Sequence, residues 1–255
     1  MTSPERGTGR LLVVATPIGN LDDLSPRALA ALRDASVVLC EDTRRTGNLF
    51  ARYGLSTPRL SCHEHNEHRR LGEVVDRLSA GETLALVSDA GTPALSDPGR
   101  RVVAAAAAAG FPVLAVPGPS ALAALLSVSG FPAVPLSFLG FPPSRSGERA
   151  RWYARFAGRD ETRILFESPY RVVASLGEMA RAWGDPSVCL GRELTKLHEE
   201  VLRGTASEVA SLLARRPGVK GEIAVAAAPS PAGAAEADDA ARGDDEPDGG
   251  PPGDG

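Results

Sequence analysis

The chain has 255 residues, 43% hydrophobic and 24% charged, the balance of a globular protein large enough for two modest cores. Its net charge of −4 is uneven: residues 229–255 carry eight acids and one arginine, leaving a body with 27 Lys+Arg against 24 Asp+Glu, net +3. Three dispersed cysteines (Cys40, Cys62, Cys189) without a CxxC pair exclude a disulfide framework or a zinc ribbon and point to the cytoplasm.

Met1 to Arg10 is polar and lacks the apolar stretch of a secretory signal; residues 1–9 are expected to be disordered. Leu11 to Ala15 is a continuous apolar run, as in a strand covered on both faces. Ser25-Pro26 then opens a helix to about Ala35, with serine as N-cap and proline at the first helical position. A strand over Val37 to Cys40 precedes a helix over Arg45 to Tyr53, which Gly54 stops. Arg59 to Cys62 reads as a strand, His68 to Leu78 as a helix, and Thr83 to Val87 as a buried strand. A helix from Gly99 to Ala109 and a strand from Pro112 to Val116 complete a mostly parallel, doubly covered sheet.

Val102 to Phe141 contains no charge, yet Gly and Pro cut it into pieces shorter than the ~20 residues a membrane-spanning helix needs. It is expected to form buried interior, with a helix at Ala121 to Val128 and an apolar connection after it. A domain boundary is expected near Pro142-Pro143, separating an α/β domain (10–141) from a smaller mixed α/β domain (142–228). The second half reads as a basic helix near Ser146 to Ala157, strand Arg163 to Phe166, helix Tyr170 to Trp183 and strand Val188 to Arg192. Glu199 to Arg203, a helix over Ser207 to Ala214 and strand Glu222 to Ala227 follow. The acidic stretch 229–255 cannot bury enough apolar surface to offset its chain entropy and is expected to be a disordered solubility or spacer tail.

Three Gly/Pro-rich segments follow strands in the first half: Thr16 to Asn20, Ser88 to Gly99 and Pro117 to Ala121. Ligands of open α/β sheets bind beyond the carboxyl ends of the strands. There, glycine lets the backbone approach closely and proline stiffens the path. No GxGxxG or GxxxxGK[ST] is present, which argues against Rossmann-type and P-loop chemistry.

VATPIGNLDDL, CEDTR, HEHNE, VSDAGTPALSDPG, VPGPSA, FESPYR, RELTKLHEE and KGEI occur in that order between Arg10 and Ala227. Together they resemble the ribosomal RNA small-subunit methyltransferase I family, a 2′-O-ribose methylating branch of the tetrapyrrole methylases. The resemblance implies a two-domain α/β fold, S-adenosylmethionine bound between the domains, a homodimer, and methylation of cytidine 1402 in 16S rRNA of the small ribosomal subunit. It assigns cofactor contacts to Pro17, to Asp89, Ala90, Gly91, Thr92 and Pro93, to Ser120 and Ala121, to Ser168 and Pro169, and to Gly221, Glu222 and Ile223.

Methyl transfer to a ribose hydroxyl benefits from a base or a nearby cation. Asp89, His63, His65 and Glu167 are candidate bases; Arg44, Arg171, Arg192 and Lys196 are candidate cations. The His63–His68 run has no further ligand cluster, so no metal is expected. Asp42, Thr43 and Asp97 read equally well as helix caps, and Ser168 as the cap of the following helix. RNA contact is expected from Arg44, His65, Arg171 and the segment SRSGERARWYARFAG, through Arg145, Arg149, Arg151 and Arg155. In that segment Trp152 and Phe156 form a separate apolar stripe.

Overall fold

The computed structural model describes residues 9–230, and the expected disorder of 1–8 and 231–255 lies outside them. Five parallel strands form the first sheet: β1 (Arg10–Val14), β2 (Val37–Cys40), β3 (Arg59–Ser61), β4 (Thr83–Leu86) and β5 (Val113–Val116), in the order β3-β2-β4-β1-β5. Helices α1 (Pro26–Asp34) and α2 (Thr43–Tyr53) cover one face over Val14, Val38, Cys40 and Ala85. On the other face α3 (Glu67–Ser79) and α4 (Arg100–Ala108) bury Leu11, Leu39, Leu84 and Leu86. With both faces covered, these strands carry apolar residues at nearly every position.

Local chemistry sets the helix ends. Ser25 accepts from the Ala28 N–H with Pro26 in the first turn, and Asp42 accepts from Arg44 N. Gly54, left-handed at φ 62°, closes α2. The start of α4 is capped from a distance, since buried Glu67 Oε1 accepts from Gly99, Arg101 and Val102 N. Asp97 is therefore not the cap of this helix.

The second sheet is mixed, in the order β6-β7-β10-β8-β9. It comprises β6 (Leu136–Phe138), β7 (Thr162–Glu167), β8 (Ser187–Arg192), β9 (Glu200–Thr205) and β10 (Ile223–Ala227), and only β6 and β7 pair in parallel. One face packs on α6 (Ser146–Ala154), α7 (Val172–Trp183) and α8 (Ala206–Ala214) through Tyr153, Leu176, Met179, Trp183 and Val209. The other face packs on α5 (Ala121–Ser129), whose Leu125 is buried with Ile164, Cys189, Ala224 and Ala226.

The expected boundary at 142–143 is therefore corrected. The "apolar connection" contains β6, and both β6 and α5 belong with the second sheet, so the change of sheet follows β5. The absence of charge marked this region as buried but not which sheet buries it. Both ends are also ordered further than expected: Gly9 packs against the Leu78 carbonyl, and Ser230 is buried. The Ser230 N–H donates to Arg159 O, while Arg163 Nη2 donates to Ala228 O and Ser230 Oγ. Among the described residues no helix is long and apolar enough to cross a membrane.

A second correction concerns Arg149, expected to contact RNA. It lies four residues before Tyr153 on the inward face of α6 and is 4% exposed. Its Nε and Nη2 each lie 2.8 Å from an oxygen of Glu178 on α7, and Nη1 donates to Ser144 O. A guanidinium spent on this pair cannot meet a phosphate. Because an unpaired buried charge is costly, Arg149→Ala is expected to lower unfolding stability by about 3–5 kcal/mol. The double variant Arg149→Met/Glu178→Met should recover most of that loss in chemical denaturation.

Candidate active site

A cavity of about 440 Å³ opens where the carboxyl ends of the first sheet meet the second. β1 and β4 are neighbours, but the chain leaves β1 across β4 towards β2 and leaves β4 across β1 towards β5. Such diverging connections leave a crevice beyond the strand ends.

The three expected loops converge there and are bonded to one another. Thr16 and Gly91 exchange backbone hydrogen bonds of 2.9 and 3.1 Å, joining the loop after β1 to the loop after β4. Thr92 Oγ1 donates to Pro119 O, tying in the turn before α5. Asp89 Oδ1 accepts from Asp42 N, adding the loop after β2. The second half closes on this frame as the Asn20 N–H donates to Thr195 Oγ1. Gly19 is required at that contact, because a Cβ would lie 2.3 Å from Lys196 Cγ.

Of the residues singled out from sequence, Asp89, Ala90, Gly91, Thr92, Ser120, Ala121, Glu167, Ser168, Pro169, Gly221, Glu222 and Ile223 border the cavity. Pro17, Pro93, His63, His65, Arg44 and Lys196 do not. Pro17 and Pro93 are buried behind the wall, where they stiffen the two bridged loops. Lys196 Nζ bonds Glu193 Oε1 at 2.8 Å and Glu222 Oε2 at 3.1 Å, which makes it a brace of the rim. Glu193 Oε1 also accepts from Glu222 N.

Glu167 reaches the cavity with both oxygens engaged. Oε1 accepts from Ser168 N and Arg171 Nε, and Oε2 accepts from Ser175 Oγ. The carboxylate thus fixes the turn before α7. Arg171, paired with it, is drawn inward to the same turn. Ser168 does not cap α7, which starts at Val172 after Arg171.

Sequence reasoning missed one wall of the cavity, formed by Glu41, Asp97 and Arg45 beside Asp89. From sequence Asp97 reads as a helix cap, and Glu41 lies beside the capping pair Asp42-Thr43. Burial pushes the Asp97 carboxyl up to about 6; the nearby Glu41 charge adds to this and a Ser88 hydrogen bond opposes it. Burial also raises Glu41, with Asp89 adding and Arg45 opposing. Arg45 Nη1 lies 3.5 Å from Asp89 Oδ2 and is the one cation lining the cavity among the described residues. Ile18, Leu122, Phe166 and Leu194 supply apolar lining. Such a site can hold a small, partly cationic ligand between carboxylates and an apolar face.

Of the expected RNA-facing cations, Arg145 is exposed and paired with Glu148, and Arg44 is exposed and paired with Asp42. Arg151 and Arg155 are exposed, with no acidic partner among the described residues. Arg155 caps the end of α6. His65 is exposed, with its ring 5.9 Å from that of half-buried His63.

A family model described as Tetrapyrrole (Corrin/Porphyrin) Methylases matches residues 10–210. The chain is 46% identical over 207 residues to Ribosomal RNA small subunit methyltransferase I of Xylella fastidiosa, covering 81% of this chain and 76% of that one. With the protein of the same name from Pseudomonas aeruginosa it shares 45% identity over 194 residues, 76% and 69% of the two chains. Among solved structures, a uroporphyrin III C-methyl transferase from Thermus thermophilus aligns with a TM-score of 0.57 at 19% identity, over 86% of this chain and 96% of that one. A diphthine synthase aligns at 0.62 and 14% identity, over 87% and 90%. At those identities the structures attest the fold alone. The chain belongs to the tetrapyrrole methylase family, in the branch whose members are named ribosomal RNA small subunit methyltransferase I.

Proposed function

We propose that this protein transfers a methyl group from S-adenosylmethionine to RNA of the small ribosomal subunit, at the ribose 2′-oxygen of a cytidine, position 1402 of 16S rRNA by family likeness. The observation that carries the proposal is the cavity into which turns from both sheets converge, in a chain over 40% identical to proteins named ribosomal RNA small subunit methyltransferase I. The cytoplasm and a homodimer are the setting proposed for it.

The residues present fit the cofactor. A volume of about 440 Å³ falls within the roughly 300–1,000 Å³ of small-molecule sites. Gly91, at φ 81°, brings bare backbone to the wall, where a Cβ would sit 3.1 Å from Ile18 Cγ2. The carboxylates of Glu41, Asp89 and Asp97 suit a ligand bearing ammonium and sulfonium charge, and Leu122, Phe166 and Leu194 suit its apolar portion. When bound, S-adenosylmethionine supplies an electrophilic methyl group. The chain then has to orient the acceptor, exclude water and receive a proton.

Asp89 is held for this by Asp42 N and Arg45, and Asp97 beside it is a stronger base than an ordinary carboxylate. His63 stands outside the cavity, where its charge favours the ionised form of Glu41. Lys196 acts at one remove, by holding Glu222 at the rim. We assign the loops carrying Asp89–Pro93, Pro17, Ser120–Ala121, Ser168–Pro169 and Gly221–Ile223 to the cofactor, some by direct contact and the prolines by stiffening. Arg44, His65, Arg145, Arg151 and Arg155 are assigned to RNA, and Arg171 to the turn it forms with Glu167. Phosphate contacts of this kind supply affinity and register without reading bases.

Incubation with labelled cofactor should label small subunits and leave a uroporphyrinogen-type acceptor unlabelled; label in the porphyrinoid alone would refute the assignment. Gly91→Ala is expected to weaken S-adenosylmethionine binding at least tenfold in calorimetry while thermal unfolding stays cooperative. Because the Asp97 carboxyl titrates near 6, it is ionised above that pH and neutral below it. Either role for the carboxylate needs the charge, so kcat/KM should fall as pH drops through about 6, and Asp97→Asn should abolish that limb of the profile.

A further inference from the structure

One aromatic side chain stands uncovered at the mouth of the cavity. Phe141 lines the cavity, yet its side chain is 55% exposed. Single exposed apolar residues are ordinary; this one is distinguished by what holds it. Its ring packs edge-on against Phe166 at a centroid distance of 5.5 Å and 60°, and Phe166 packs in the same way against Phe138 at 5.0 Å and 65°. Three rings thus run from the β6–β7 sheet to the cavity mouth, where the last presents an uncovered surface.

The backbone fixes that surface in place. Phe166 N donates to Gly140 O at 2.9 Å, and Gly140 turns the chain at φ 65°, its α-carbon directed towards Ser96 of the first half. Four residues beyond Phe141 stands exposed Arg145, followed by α6 with exposed Arg151 and Arg155. An aromatic face at a cavity mouth, leading onto a row of guanidiniums, is the arrangement by which proteins hold a single nucleotide turned out of its strand: the base stacks and the flanking phosphates meet cations.

We propose that the Phe141 ring is the stacking platform for the base of the acceptor nucleotide, the contact that brings its ribose over the cavity. This rests on the RNA-methylating function above and adds the residue that positions the substrate. A ribose oxygen reaches the floor of such a cleft only when its nucleotide leaves its neighbours' stack. A rigid aromatic surface offsets part of that unstacking without selecting one base over another. Selection of cytidine then falls to the register set by the RNA fold and the arginines.

The test compares wild type, Phe141→Ala and Phe141→Tyr on small subunits lacking the modification, with S-adenosylmethionine affinity measured separately by calorimetry. Removing a stacking ring should lower kcat/KM for the subunit by about tenfold or more. Cofactor affinity should stay within about twofold, and Phe141→Tyr should retain most of the activity. In a Phe141→Trp variant, indole fluorescence should be quenched by the subunit and not by the cofactor. Phe141→Ala at wild-type kcat/KM overturns the proposal, as does a loss confined to cofactor affinity. A wild-type chain that methylates a porphyrinoid and no RNA removes the function itself, an outcome separate from failure of the Phe141 variants.

Discussion

Everything at the cavity depends on the docking of α5 across the second sheet. This helix follows the last strand of the first sheet, yet its Leu125 is buried among Ile164, Cys189, Ala224 and Ala226 of the second. Burying one leucine against such a surface contributes about 1.5–3 kcal/mol, and Leu122 and Leu126 flank it on the same helix. The consequence is geometric as much as energetic. With α5 shared, the carboxyl ends of β1 and β4 face the turns after β7 and before β10. Backbone bonds between Thr16 and Gly91, and the bond from Asn20 to Thr195, then hold loops more than 70 residues apart in sequence in one frame.

Around that frame, several charged side chains that look chemical are structural. Glu67, in the histidine-rich run, caps α4 by accepting three backbone N–H bonds. Arg149 and Glu178 join α6 to α7. Arg163 is fully buried beneath Trp183, its guanidinium carbon 4.0 Å from the ring centroid, and carries the chain end at Ala228 and Ser230. Burial pulls its pKa down to about 10, and its Nε has no partner among the described residues. Charged groups are almost never fully buried unless they are bonded, and these bonds set the angles at which elements meet.

The cavity lining is of mixed polarity. Glu41, Asp89 and Asp97 gather with Arg45, the one cation of the lining among the described residues, and Ile18, Leu122, Phe166 and Leu194 supply apolar surface. Glu41, Asp89 and Asp97 come from the loops after β2 and β4, Glu167 and Glu222 from the second sheet, and the apolar side chains from β7, α5 and the loops around β1 and β8. The mouth opens towards the aromatic and basic segment that leads into α6.

The periodicity of apolar residues and the turn chemistry at Ser25-Pro26, Asp42 and Gly54 determined nearly every element, because those signals act within a few residues. The Gly/Pro loops were likewise legible as strand-end turns that meet at one cavity, since glycine permits close backbone approach and proline stiffens the path. Sequence alone could not determine which sheet takes β6 and α5, because an uncharged stretch reports burial without a partner. Nor could it separate Arg149 from Arg151: both are arginines of one helix, and only the packing of α7 selects the inward one. Asp97 reads as a cap, and Glu41 is passed over beside Asp42, because a carboxylate near a helix start looks the same whether it bonds the helix or faces a cavity. That choice is made by contacts across the fold, from Glu67 at the start of α4 and from Asp89 beside both, which no local pattern encodes.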